Sequence, residues 1–328
     1  MAYNWVYGGV QLPWEWHEEY MLRNTVYPAY LALPLYCLKV TGLDTNMVVL
    51  LQPYISHAVL VLLGDWFFFK AGKKYVGKNA TRLGWLILFF SKQHTDYLIR
   101  CFTNAVEEIL SVIAFYYFLD QKNHFNLRTV ALTTTITLSF MMRNTSPIGW
   151  IPLLAIKVLY EGALVPFLIA GIFVALPVIA LTVLVDTLYF TGKIELNNIV
   201  FTAWNFFIRN LREGLSEYFG ACSKIFYIGD SIPEGFWILY PALVLGTFYH
   251  IYKRRRDNQS PYLSYAIFFY LLVFSYIPHK EPRFMLPIYS FGVLLGGEIT
   301  EIAFKRSNVD LRRFFSLFWV GYMVRQAV

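Results

Sequence analysis

His279-Lys280-Glu281-Pro282-Arg283-Phe284 puts four ionisable side chains within five residues, between Pro278 and Pro287, with a long apolar run on either side. Lys280 and Arg283 together suit an anionic headgroup. Arginine offers phosphate a bidentate fork and lysine a mobile point charge. Glu281 could orient one of these cations or take a proton. On a helical turn His279 and Arg283 would share a face, whereas Pro278 and Pro282 argue for a bent loop or a helix start. A single such charge at a helix centre in hydrocarbon costs roughly 2.5–3.5 kcal/mol. The cluster therefore belongs at a membrane surface. A snorkelling interfacial loop is the bland alternative, and four ionisable groups side by side weigh against it.

Three further groups could serve the same chemistry. Arg143 lies in Met142-Arg143-Asn144-Thr145-Ser146-Pro147, between two apolar runs, where it is either an interfacial anchor or a second phosphate-binding cation. Asp186 ends a long apolar run, either capping it or joining a site at that face. Trp14-Glu15-Trp16 sets a carboxylate between two large rings, which suits a sugar-stacking platform and equally an interfacial aromatic belt. Asp65, Asp96, Glu107 and Glu108 lie in or near apolar runs, where ionisable groups usually face a cavity. His57 and His94 are isolated and read as core histidines without metal-ligand spacing. No zinc-protease, P-loop, nucleophile-elbow or dinucleotide-binding pattern is present.

The elements that must position these groups are membrane helices. The 328 residues are 57% hydrophobic and 15% charged, where soluble domains carry about a quarter charged residues. An all-α polytopic membrane bundle follows, a single integral-membrane domain of roughly eight to eleven segments at ~20 residues each. Apolar runs fall at 27–41, 46–69, 83–91, 105–119, 129–142, 148–160, 163–190, 236–252, 261–278, 284–300 and 314–325. The shorter ones are either tilted spans completed by inward-facing polar residues or re-entrant segments. The net charge of +7 reads as topology and contact with membrane lipid, not as a nucleic-acid footprint. Cys37, Cys101 and Cys222 are scattered and odd in number, implying neither a disulfide framework nor a zinc site.

By the positive-inside rule, Lys253-Arg254-Arg255-Arg256 is cytosolic, as are Lys305, Arg306, Arg312 and Arg313. The stretch 279–284 then falls on the opposite face, together with the polar stretch 191–235. Residues 1–26 read as an interfacial segment on that face. Basic residues 70–82 suggest cytosol, and counting spans does not fix the orientation of 27–160.

The cluster also resembles a family signature. His279 to Phe284, followed by Leu286-Pro287-Ile288-Tyr289, is similar to the HKExRFxxPxxP-type motif of glycosyltransferase family 22 in the GT-C superfamily, the dolichyl-phosphate-mannose-dependent mannosyltransferases. Ser290 stands where that motif often has proline. Weaker matches follow in the same order. Trp14-Glu15-Trp16 and Arg23-Asn24-Thr25-Val26-Tyr27-Pro28 resemble the TWEW…RSYTYP stretch of members that add the third mannose to glycosylphosphatidylinositol (GPI) precursors. Arg143-Asn144-Thr145-Ser146 looks like that family's RPT segment without its proline, and Asp186 to Gly192 looks like its DxxxYG segment.

The resemblance implies a multi-pass enzyme of the endoplasmic reticulum membrane. It would move mannose from dolichyl-phosphate-mannose to a lipid-linked glycan acceptor at the luminal face, with inversion and no cofactor. His279, Lys280, Glu281, Arg283, Arg143, Asp186, Trp14, Glu15 and Trp16 would form the donor-phosphate and substrate site. The family's catalytic Asp-Glu motif precedes the Trp-Glu-Trp stretch, after a first transmembrane helix. Neither is in these 328 residues, so the expectation is an N-terminally truncated chain. Mannosyltransferases of N-glycan assembly share the His-Lys-Glu motif and are the rival within the family. A non-catalytic partner of a glycosylation complex is the rival outside it.

Overall fold

The computed structural model describes residues 1–91, 96–98, 100–121 and 123–307, with the side chains of Leu211, Ser216 and Ser307 left aside. His94 and the apolar run 314–325 lie outside these described residues, as do Arg312 and Arg313. Two short helical pieces come first: α1 (Ala2–Tyr7) and a single turn at Trp14–Trp16. Then follow α2 (Val26–Thr41), α3 (Asn46–Tyr75), α4 (Lys78–Phe89), α5 (Thr103–Leu119), α6 (Leu127–Met142) and α7 (Pro147–Leu159). The run Leu164–Thr191 is one helix, α8, with a π-helical stretch at Gly171–Ala175. Short turns fill 196–239, and α9 (Tyr240–Arg256), α10 (Tyr262–Tyr276) and α11 (Leu286–Ser307) complete the described bundle.

From α3 onward the helices alternate in direction between two ends, and ion pairs mark one of them. Lys74, at the end of α3, pairs with Asp120 just past α5, and Arg128 at the start of α6 pairs with the same carboxylate at 2.7 Å. Lys157 near the end of α7 donates to the Gln121 carbonyl at 3.2 Å. Arg254 at the end of α9 donates to the Tyr75 carbonyl at 2.6 Å and lies over the Tyr75 ring. Lys253 meets Glu298 of α11. The basic loop 70–82 thus shares an end with Lys253–Arg256. Counting spans left the orientation of the first half open, and these contacts between helices put its basic loop at the same end as Lys253–Arg256. The polar stretches 14–25, 186–235 and 278–284 gather at the other end.

The apolar runs are helices throughout, but their lengths differ from the hydropathy reading. The helix α4 starts at Lys78, ahead of the apolar run at 83–91, and buries Ala80 and Thr81 in its first turn. Among the described residues, α3 and α8 are long and apolar enough to cross a membrane; α6, α7 and α10 are apolar but shorter. Only 17% of the apolar window of α3 and 11% of that of α8 is buried, so both show their apolar side chains to the outside, as lipid-facing helices do.

The centre is α11, which follows directly on the 279–284 loop. Its Leu294 belongs to the main core with Phe68 and Leu132, and its Phe291 ring meets Phe115 at 5.3 Å. Glycines set its approach to its neighbours. A Cβ on Gly84 of α4 would meet the Val293 carbonyl oxygen at 2.5 Å, and one on Gly297 would run into the Ala80 carbonyl. A Cβ on Gly246 of α9 would strike Leu295. Small residues at crossings let helix backbones touch. Gly297→Val is therefore expected to push α4 off α11, destabilising the bundle by about 1–3 kcal/mol. Thermal unfolding in detergent reads this as a lowered melting temperature, and an unchanged melt would contradict the crossing.

Candidate active site at the polar end of the bundle

The 279–284 segment is a bent loop. The chain is extended at Ile277, and Pro282–Met285 form a single 3-10 turn with proline at its start, leading into α11. Lys280 is only 5% exposed. Its ammonium donates to the carbonyls of Ile277 at 2.6 Å and Cys222 at 3.2 Å, and the Cys222 amide donates to the Pro278 carbonyl at 3.0 Å. The lysine therefore stitches the loop to the 220s segment. Burial pulls its pKa below the ordinary lysine value.

Glu281 takes both neighbours. His279 Nε2 lies 3.1 Å from its Oε1, Arg283 Nη2 donates to Oε1 at 2.9 Å, and Arg283 Nε is 2.6 Å from Oε2. Burial alone would raise the Glu281 carboxyl; Arg283 and His279 outweigh it and hold it below the usual carboxylate range. The clasp is thus fully present above that range and is lost as pH falls through the depressed value. Among the described residues Arg283 meets Glu281 through Nη2 and Nε and not through Nη1, and its guanidinium lies 4.8 Å from the centre of the Phe102 ring.

Arg143 reaches the same place from the α6–α7 turn. Its Nε is 2.6 Å from Glu107 Oε2, a carboxylate almost fully buried, and its guanidinium lies 5.1 Å over the Phe284 ring. Ser290, where the family signature often has proline, donates to Glu108 Oε1 at 2.6 Å. Two adjacent carboxylates of α5 therefore brace the turn carrying Arg143 and the helix following the loop.

The Trp-Glu-Trp turn divides its work. Trp16 is buried against Phe190, Tyr189 and Trp5. Glu15 pairs with Arg23 at 2.6 Å. Trp14 faces outward and stacks at 6.0 Å on Phe219, whose ring is 5.8 Å from His279. Rings at 14, 219, 279 and 284 thus form a continuous wall ending at Arg143. Asp186 stands apart. It is 0% exposed and accepts four hydrogen bonds: from Asn24 Nδ2 (2.8 Å), the Thr25 amide (2.9 Å), Thr25 Oγ1 (2.7 Å) and Thr202 Oγ1 (3.3 Å). Gly192, at φ 72°, ends α8 in the left-handed region and turns the chain back, so that the Val200 amide can reach Thr187 Oγ1.

Phe102 and Arg100 carried no signal in the sequence, since each matters only through what the fold places beside it. Arg100 and Phe102 line a cavity of about 800 Å³, with Tyr3, Tyr7, Asp44 and Tyr54 on its other walls. His57 is fully buried in α3, its Nδ1 3.2 Å from the Tyr27 hydroxyl. Among the described residues no group of three or more His, Cys, Asp or Glu could hold a metal ion.

A family model described as the Alg9-like mannosyltransferase family matches residues 1–328. "GPI mannosyltransferase 3" of Yarrowia lipolytica is 27% identical over 288 residues, 88% of this chain and 53% of that protein. "GPI alpha-1,2-mannosyltransferase 3" of Bos taurus is 26% identical over 90% of this chain and 52% of that protein. The chain spans about half the length of the curated relatives it matches. Among solved structures, ArnT from Cupriavidus metallidurans, bound to undecaprenyl phosphate, superposes with a TM-score of 0.62. The match has 13% identity and covers 86% of this chain and 50% of that one. At that identity the likeness shows the fold alone, a helical bundle of GT-C type.

Proposed function

The chain belongs to the Alg9-like mannosyltransferase family, and from that premise we propose that it transfers mannose from dolichyl-phosphate-mannose to a GPI-anchor precursor, adding the third, α-1,2-linked mannose. The observation that carries this reading is the convergence of Arg283, His279 and Arg143 along one aromatic wall at the polar end of the bundle. A glycosyl phosphate donor loses its sugar as negative charge grows on the phosphate. Cations fixed beforehand at that point stabilise the transition state more than the ground state. In our reading Arg283, clamped by Glu281, offers its remaining edge to the leaving phosphate, and Arg143 adds field from across Phe284. Lys280, spent on two carbonyls, holds the loop in place. Trp14 and Phe219 offer faces to the sugar, whose axial C–H groups stack on aromatic rings. Asp186 acts at a distance by fixing residues 24 and 25, and with them the Trp-Glu-Trp turn.

The same reading gives the protein several spans of the endoplasmic reticulum membrane. The end with Lys74, Arg128, Lys157 and Lys253–Arg256 is cytosolic by the excess of basic residues, so the site faces the lumen. That is the side on which a lipid-phosphate donor and a lipid-linked acceptor would meet. Relatives that bear the GPI name support this acceptor over the N-glycan precursor.

Expression in cells lacking the third-mannose step tests the acceptor. Return of GPI-anchored protein to the surface is the expected result. Restoration of full-length lipid-linked oligosaccharide in cells blocked in N-glycan assembly, without return of anchored protein, would refute it.

A further inference from the structure

The cavity at Arg100 is not used by the donor-phosphate site, and its walls have a chemistry of their own. Tyr7, Asp44, Tyr54, Arg100 and Phe102 border an open pocket of about 800 Å³, in the upper part of the ~300–1,000 Å³ range of ligand pockets. That is more room than a single sugar ring needs. The lining carries one carboxylate, one guanidinium and several tyrosines, a set suited to hydroxyls, a phosphate and the apolar faces of pyranose rings. Tyr3 and Cys101 complete the wall together with Asn46, Val49, Leu50 and Pro53 of α3. Beside them on the same helix, Leu51, Tyr54 and Ile55 are exposed, part of the outward apolar strip of a helix that is mostly unburied. An open, largely apolar and tyrosine-rich pocket that carries one acid and one base, beside a lipid-facing helix, fits an amphiphile whose head enters and whose tails stay outside.

Phe102 connects this chamber to the chemistry. It is a wall of the cavity, and the Arg283 guanidinium lies over its ring at 4.8 Å. A ligand reaching past Phe102 would arrive at the donor phosphate from the side. The chamber is held in shape by α1, which is tied to α2 where Lys39 Nζ donates to the Val6 carbonyl at 2.5 Å.

We propose that this cavity receives the oligosaccharide headgroup of the lipid-linked acceptor, with Arg100 on a phosphate of that head and Asp44 and the tyrosines on its sugars. The proposal rests on the mannosyltransferase reading and adds the acceptor's position to it. The size of the chamber favours the oligosaccharide acceptor over the donor's single mannose.

Two measurements on the detergent-solubilised protein test it. In transfer kinetics, Arg100→Gln should raise the acceptor KM tenfold or more and leave the donor KM within twofold. An unmoved acceptor KM, or a rise in the donor KM instead, overturns the assignment. The second measurement needs no turnover. A photoreactive dimannosyl glycosylphosphatidylinositol is crosslinked to the wild-type protein and the adduct mapped by mass spectrometry. Label within 44–54 or at 100–102, reduced by Arg100→Gln, supports the cavity; label elsewhere rejects it. If mannosyl transfer is absent but this label is present, the functional reading fails and the site stands.

Discussion

Arg283→Ala is expected to reduce mannosyl transfer by roughly 10²–10³-fold, the loss typical of removing one preorganised stabiliser of developing negative charge. The fold should survive. The Arg283 side chain is 31% exposed and its partner Glu281 30%, and ion pairs open to solvent contribute about 0–1 kcal/mol. Glu281 left behind can still take His279 and water. Lys280, which ties the loop to Cys222, is untouched by the change. Arg283→Lys should recover part of the lost activity, since it restores charge but cannot face Glu281 and a phosphate with two edges of one planar fork. The check is kcat/KM with dolichyl-phosphate-mannose, alongside a thermal melt and membrane recovery of each variant. A variant with normal melting and retained transfer would remove Arg283 from the phosphate role.

The second large effect is on stability. Asp186→Ala removes a fully buried acceptor of four hydrogen bonds and leaves Asn24, Thr25 and Thr202 with donors that no water reaches. Unsatisfied buried groups cost about 1–3 kcal/mol each, not fully additively, so a loss of roughly 3–5 kcal/mol is expected, as when a buried pair is broken from one side. Asp186→Asn should be milder. An amide keeps one oxygen for Thr25 but presents its NH2 to another donor. The melting temperature should drop steeply, and the stretch bearing Trp14 should become open to proteolysis. A variant that melts normally yet transfers nothing would instead put Asp186 in contact with substrate.

These two residues show what the sequence could and could not disclose. Asp186 stands out as a carboxylate ending an apolar run, and its spacing says that it must be satisfied. Its partners at 24, 25 and 202 come from segments that only tertiary structure brings together. Arg143 and Glu107 likewise are visible singly as charges in apolar surroundings, while their pairing depends on α5 and α6 packing side by side. The bent loop at 278–284 was legible because proline chemistry is local, and the structure gives Pro282 the helix-start position. Helix positions were legible from apolar runs, but helix lengths were not. Thr81, buried against α3, belongs to α4 through packing and not hydropathy. The basic residues at 70–82 pointed to one side, but counting spans could not orient the first half because several of its apolar runs are too short to span alone. The Arg254–Tyr75 contact puts that basic loop at the same end as Lys253–Arg256.

The most direct test of the whole account is transfer of radiolabelled mannose by the purified protein in lipid nanodiscs. The donor is dolichyl-phosphate-mannose, the acceptor a dimannosyl GPI precursor, and the product is digested with an α-1,2-specific mannosidase. The expected product is a labelled trimannosyl lipid whose label the mannosidase releases, with none formed from a nucleotide-sugar donor. Absence of label from the dolichyl donor, or transfer from the nucleotide sugar instead, would contradict it.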